Sequence, residues 1–284
     1  MKRFMIYLNE RSPLPALTFL SAGIALSPMG IDQSFSWQLF ILAIVVNNFL
    51  FIQMRLGDEL KDYETDKLIN PTRPLPRGLF KTREVQKLLE IFLTILIGGG
   101  LTIGVVYSPL GGSALVLASI FSWLMYKEFY ISNKLDKSPM IYALTHQVIV
   151  FPLFAWPALT MDPTILEDRI FIGWLVGNFG ASFTFEVCRK LNPAAHELAK
   201  TYAHHYGRTK TVLICCVFML ISAYGSYFAQ IDLYAIPVLA ILLISLITWH
   251  QNPQTYKFPA GISALSSSVL LWTPAIMWLY RIWS

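Results

Sequence analysis

Apolar stretches of about 20 residues, separated by short polar connections, recur along this 284-residue chain. A helix of that length crosses a bilayer. Nine such spans can be read off, at 13–31, 36–54, 88–107, 110–126, 139–160, 169–187, 211–229, 233–250 and 260–282. The pattern predicts an all-α, polytopic membrane helical bundle of about nine transmembrane helices. It is expected to form one domain over residues 1–284, because no polar stretch is long enough for a separate soluble domain. Pro13 to Gly30 continues as a full span without the small-residue cleavage pattern of a signal peptide, so the first span is expected to be retained.

Composition strengthens this picture. With 55% hydrophobic and 14% charged residues and a mean hydropathy of +0.53, the chain has too few polar side chains to cover a soluble domain of its size. Twenty of the 22 Lys and Arg fall on one side of the predicted spans: at the N-terminus and in the connections after spans 2, 4, 6 and 8. Arg169 and Arg281 fall on the other. The positive-inside rule then places the N-terminus and those connections in the cytoplasm, with the odd span count putting the C-terminus outside. A multi-pass integral protein of the bacterial inner membrane is expected. The net charge of +5 is accounted for by topology and needs no nucleic-acid partner.

Two polar connections stand out, those after spans 2 and 6. The first reads Asp58-Glu59-Leu60-Lys61-Asp62-Tyr63-Glu64-Thr65-Asp66 and then Arg73-Pro74-Leu75-Pro76-Arg77-Gly78. On a helix, Asp58, Asp62 and Asp66 share a stripe covering roughly 80° of arc, where their charges repel unless a cation sits among them. Magnesium suits such a site: it takes carboxylate oxygens, keeps waters, and offers its open positions to phosphate. Arg73 and Arg77 suit the same phosphates by bidentate hydrogen bonding. Pro71, Pro74 and Pro76 disfavour helix and predict extended backbone, with a turn at Gly78. The competing reading is a solvated helix face with Lys61 and Lys67 as ion-pair partners.

This segment resembles the first aspartate-rich motif of the UbiA-type intramembrane prenyltransferases, commonly Asn-Asp-x-x-Asp-x-x-x-Asp followed by Arg-Pro-Leu. Asp58 then occupies the usual Asn position, Glu59 the adjoining acid, and Asp62 and Asp66 the later aspartates. The resemblance implies a nine-span helical bundle with a site open to the cytoplasm and a lateral portal for a polyprenyl tail. It also implies Mg²⁺ binding the diphosphate of an allylic substrate. The family's second motif, typically Asp-x-x-x-Asp at the end of span 6, corresponds here to Glu186-Val187-Cys188-Arg189-Lys190, followed by His196 and Glu197. Glu186 stands for the first aspartate, and Lys190 falls where the second would be. That substitution removes a ligand from a second metal site and adds a positive charge, so the ammonium is expected to replace the second ion as a counter-charge. Arg189 joins it as a diphosphate contact or marks the helix end. Lys127, with Tyr126 and Lys134 at the end of span 4, matches a lysine that often contacts the diphosphate in the family, although topology explains it equally.

Several other residues have structural readings. Asn47 and Asn48 sit about 15 Å below Asp58 if the helix continues, and Asn178 sits similarly below Glu186. One of the adjacent pair is expected to join helices and the other to line a cavity. His146 with Gln147 is read first as a packing pair, and second as a cavity group that activates an acceptor. His204-His205 lacks the i, i+4 spacing of a helical metal site. Cys188, Cys215 and Cys216 fit no metal or disulfide pattern. The 8 Trp, 13 Tyr and 19 Phe supply core and interfacial belts, and ring faces able to stabilise a carbocation.

The expected activity is prenyl transfer. Asp62 and Asp66, with Asp58 and Glu186, would hold Mg²⁺; Arg73, Arg77, Lys127, Arg189 and Lys190 would hold the diphosphate; a lipophilic or aromatic acceptor would capture the cation. Two alternatives remain: a membrane terpene cyclase using the same diphosphate site, and a non-catalytic lipid-diphosphate-binding or transport protein, which Lys190 keeps open.

Overall fold

A computed structural model describes residues 2–196, 198 and 201–284. Glu197, noted above in the second polar connection, and Lys200, one of the basic residues counted there, lie outside the described residues. The described chain is all-helical, with no strand. It begins with α1 (Lys2–Arg11), α2 (Leu14–Asp32), α3 (Trp37–Lys61) and the short α4 (Tyr63–Ile69). α5 (Thr82–Val106), α6 (Pro109–Tyr126), α7 (Ser132–Leu135), α8 (Pro139–Gln147) and α9 (Val150–Met161) follow. The last four are α10 (Arg169–Cys188), α11 (Tyr202–Phe228), α12 (Asp232–Gln251) and α13 (Lys257–Trp283).

Among the described residues, nine segments are long and apolar enough to span a membrane: α2, α3, α5, α6, α8 with α9, α10, α11, α12 and α13. They match the nine spans expected from sequence, with longer ends. α3 runs on to Lys61, α5 starts at Thr82 and α11 at Tyr202, because a helix continues past its apolar stretch wherever backbone hydrogen bonding and a cap permit. The caps are visible in the sequence. Ser36, Ser108, Ser138, Asp168 and Thr201 each accept a backbone N–H from the first turn of the helix they precede. The fifth span is broken between α8 and α9, where Pro152 lacks an N–H and its ring opposes the carbonyl of Val148.

The chain divides into two compact units. One takes the residues up to Ala25, Phe35–Ser132 and Pro152–Pro163; the other takes Leu26–Ser34, Asn133–Phe151 and Thr164–Ser284. Small residues set the helix packing in each. In the first, a Cβ added at Gly112 would lie 2.4 Å from the Gly100 carbonyl oxygen, so α5 and α6 meet backbone to backbone. In the second, a Cβ at Gly225 would lie 2.2 Å from the Gly177 nitrogen, locking α11 on α10 in the same way.

Buried polar side chains tie helices within the units. Trp156 donates to Asn47 Oδ1 at 2.8 Å, and Asn48 donates to the Ile44 carbonyl at 2.8 Å and to Ser21 at 3.4 Å. Both asparagines therefore join helices, whereas the sequence suggested one of them for a cavity. Asn178 donates to the Trp174 carbonyl of its own helix at 2.9 Å. His146 bonds the Tyr142 carbonyl through Nδ1 at 2.7 Å and stacks on the Tyr142 ring. Cys188 and Cys215 are buried and unoxidised, and Cys216 is half-buried.

Candidate functional site

Asp58 belongs to the last turn of α3, and Asp62 is the joint between α3 and α4. Although the helix is interrupted there, the i to i−4 hydrogen bonding is kept: Asp62 N–H bonds Asp58 O at 2.9 Å, Asp66 N–H bonds Asp62 O at 2.8 Å, and Asn70 N–H bonds Asp66 O at 2.8 Å. The three aspartates therefore share one stripe, as their spacing predicted.

Their surroundings differ. Asp66 is buried and receives the Arg73 guanidinium on both oxygens at 2.6 Å, with Asn70 Nδ2 at 2.9 Å. Asp58 pairs with Lys61 at 3.2 Å and Arg55 at 3.7 Å. Asp62 keeps a solvent-exposed face and makes no ion pair among the described residues. The protein mass around it, and then the charges of Asp58 and Asp66, push its carboxyl above the usual range against the pull of Lys61 and Arg73. Glu59 points elsewhere. Its side chain is 0% exposed and is paired with Arg11 of α1.

The arginine loop departs from the extended backbone expected of its prolines. Residues 71–79 form consecutive turns, with Arg77 N–H on Arg73 O at 3.0 Å and Leu79 N–H on Pro74 O at 2.9 Å. A proline's fixed φ suits the second position of a tight turn as well as it suits extended chain, and here buried Leu75 and Phe80 pull the segment into the core. Gly78 turns with φ +81°, as anticipated. Four residues apart, the two arginines part company: Arg73 engages the aspartate stripe, while Arg77 places both Nη atoms on Glu10 at 2.8 Å.

Lys127 caps α6 in the same unit. Its ammonium lies 4.5 Å from the Tyr126 ring centre and donates to the Tyr126 hydroxyl at 3.5 Å. Gly57 lets this helix end approach α3 closely, since a Cβ there would lie 3.0 Å from Tyr126 Cβ. Beyond Lys127 the chain reverses through Glu128, Phe129 and Tyr130, all with positive φ, and returns Phe129 to stack edge-on against Phe121.

In the second unit, Glu186 is paired with two cations just past the end of its helix. Lys190 Nζ lies 2.6 Å from Oε1 and Arg189 lies 2.5 Å from Oε2. The i, i+3 and i, i+4 spacing makes this triad local. His204 and His205 are solvated, but on the first turn of α11 rather than in a loop, because Thr201 caps the helix just before them.

The donor chemistry of the stripe suits a hard divalent ion. Mg²⁺ commonly takes one or two carboxylates and fills its remaining positions with water and substrate phosphate. Asp62, destabilised in its charged form, and Asp58 one turn away offer that set, although among the described residues no three acidic, His or Cys side chains close into a ready-made cage. What the residue reading missed is α1. Lys2, Arg3 and Arg11 count in sequence only as topological charge, yet Arg11 reaches Glu59 beside the aspartate stripe and Glu10 reaches Arg77 of the arginine loop; the helical spacing of Phe4, Tyr7 and Leu8 was the available signal.

No curated protein sequence matches the chain significantly. A solved structure described as giving structural and mechanistic insights into the biosynthesis of digeranylgeranylglyceryl phosphate synthase in membranes has the same fold. It superposes with a TM-score of 0.69 at 15% identity, covering 97% of this chain and 98% of that one. The model of the UbiA prenyltransferase family matches residues 16–257, which include both motif segments. The nine-span helical bundle, the aspartate stripe and this match make the chain a member of the UbiA prenyltransferase family, an intramembrane prenyltransferase.

Proposed function

We propose that the protein moves a prenyl group from an allylic prenyl diphosphate to a lipophilic acceptor, with an aromatic ring as the acceptor class that the family suggests. The chain acts as one transferase domain with its polar loops on the cytoplasmic side. Prenyltransferases of this family generally use a divalent metal ion. In this reading the ion is Mg²⁺, held by Asp58 and Asp62 with Asp66 as the third carboxylate once Arg73 shifts to phosphate; bound there, it would supply positive charge to the diphosphate oxygens.

The chain's own residues do the rest. Arg73, released from Asp66, grips phosphate oxygens by its two-pronged geometry. Lys127, held on aromatic faces, adds a point charge. These cations stabilise the negative charge that develops as the allylic C–O bond breaks and its electron pair leaves with the diphosphate. The acceptor then forms a bond to the allylic carbon and gives up a proton. Glu186, Arg189 and Lys190 carry one net positive charge between them. We assign that triad the role of counter-charge, with Lys190 in place of a second metal ion.

The observation that carries this reading is the unbroken Asp58–Asp62–Asp66 ladder with Arg73 closed on its last member. The test is release of inorganic diphosphate by purified protein given a prenyl diphosphate with and without aromatic acceptors. Release should stop in EDTA and in Asp62→Ala. Product formation without any acceptor would point instead to a cyclase, and full release in EDTA would remove the magnesium mechanism.

A further inference from the structure

α1 is ten residues long, too short to be stable as an isolated helix in water, so its helicity depends on docking. It docks through Tyr7 and Leu8, which are buried with Leu56 of α3 and with Leu75 and Phe80 of the arginine loop. Tyr7 packs edge-on against Phe80 at 6.1 Å between ring centres. Three ion pairs then leave α1 for three different segments. Arg3 reaches Glu84 at the start of α5 at 3.1 Å, Glu10 reaches Arg77 of the loop, and Arg11 reaches Glu59 of α3. Those segments bracket the aspartate stripe.

The Arg11–Glu59 pair is unlike an ordinary surface pair, and the Glu10–Arg77 pair, though exposed, is two-pronged. The Glu59 side chain is 0% exposed and that of Arg11 18%, so neither is a solvated topological charge. Glu10 and Arg77 make a two-pronged contact, both oxygens on both Nη atoms at 2.8 Å, and Nη1 also donates to the Thr72 carbonyl at 2.8 Å. The hydrogen bond from the Arg77 guanidinium holds the Glu10 carboxyl below the usual range. With its Nη atoms so engaged, Arg77 differs from Arg73, whose guanidinium lies on the stripe itself.

We infer that α1 is a positioning clamp for the diphosphate site: Glu10 on Arg77 and Arg11 on Glu59 fix the arginine loop against the end of α3, and Arg77 acts through Glu10 rather than on substrate. This rests on the prenyl-transfer reading given above. Arg73 and Asp66 are the groups so positioned, since Arg73 lies on the loop the clamp holds and Asp66 on α4, the short helix between that loop and the end of α3.

The test uses the full chain in detergent and four forms: wild type, Glu10→Gln, Arg77→Gln, and the reversed pair Glu10→Arg with Arg77→Glu. Each single variant should lower kcat about threefold, in line with the modest strength of exposed ion pairs. KM for the prenyl diphosphate should not change, and the reversed pair should recover most of the loss. Trypsin cleavage after Arg3, on the same helix but away from the substituted position and followed by mass, should accelerate in both single variants and slow again in the reversed pair. If Arg77→Gln raises KM tenfold or more while Glu10→Gln does not, and the reversed pair is inactive, Arg77 is a substrate ligand and the inference is overturned. Wild-type kinetics and wild-type trypsin resistance in both single variants overturn it as well. The trypsin arm needs no turnover: if the wild type releases no diphosphate, the transferase reading falls by itself, while cleavage still decides whether the clamp exists.

Discussion

Asp62 is the carboxylate whose surroundings oppose its own charge. Partial desolvation by the surrounding protein and two aspartate neighbours outweigh Lys61 and Arg73, so its charge is less favourable in the folded, metal-free protein than in water. Removing that charge should therefore cost the fold nothing: Asp62→Asn should show an unchanged or higher Tm in EDTA while losing diphosphate release, the trade of stability for function expected at a binding site. A lower Tm would mean that the carboxylate supports the fold. Lys190 invites a different test, because its ammonium already neutralises Glu186 without any metal. If it also serves as counter-charge to the diphosphate, Lys190→Ala should slow ionisation by about a hundredfold, the equivalent of roughly 3 kcal/mol of charge stabilisation. Lys190→Asp would place a second acid beside Glu186, so activity should fall at low magnesium and recover partly at high magnesium. Wild-type rates and magnesium dependence in both variants would leave Lys190 as a topological charge.

At the scale of elements, stability is concentrated where one chain segment enters the core of another. Arg11→Ala would strand Glu59 as a buried unpaired carboxylate, at a cost on the order of 3–5 kcal/mol, and Tm should fall by several degrees or more. Replacing both partners with apolar residues, Arg11→Met with Glu59→Leu, should recover much of that loss, since the desolvation of two charges disappears with them. Glycines give a second contrast. Gly225→Ala would drive a methyl into the backbone of α10, which cannot yield as a side chain could, and should destabilise by about 1–3 kcal/mol. Gly98→Ala in α5 meets nothing within 4 Å and should be neutral or stabilising. These contrasts also mark what sequence reveals. The spans and the aspartate stripe were legible because period and length are properties of a single segment. The turns of the arginine loop were not, because proline tolerates both outcomes and burial of Leu75 and Phe80 chose between them. The α1 pairs join residues 48 and 67 positions apart, and no local pattern reports which partner a distant charge will find.

For the whole molecule, the arrangement of charge along the chain makes a claim that no single helix can. Twenty of the 22 basic residues lie at the N-terminus and after even-numbered spans, and nine segments among the described residues are long and apolar enough to cross a membrane. The connection carrying the aspartate stripe and the one after α10 should then both face the cytoplasm, as a diphosphate made in water requires. Single cysteines report this directly once Cys188, Cys215 and Cys216 are replaced. Exposed positions are needed, which excludes Gly57, against Tyr126, and Gly112, against α5; Lys67, Ala194 and Glu167 are exposed. In right-side-out membranes, a membrane-impermeant maleimide should label Glu167→Cys and spare Lys67→Cys and Ala194→Cys, and inverted membranes should reverse the pattern. Labelling of the Lys67 and Ala194 positions from opposite sides would separate the aspartate stripe from the Glu186 triad by the thickness of a bilayer. The triad could then give no counter-charge to a diphosphate held by the stripe, and Lys190 would lose its proposed role whatever its kinetics.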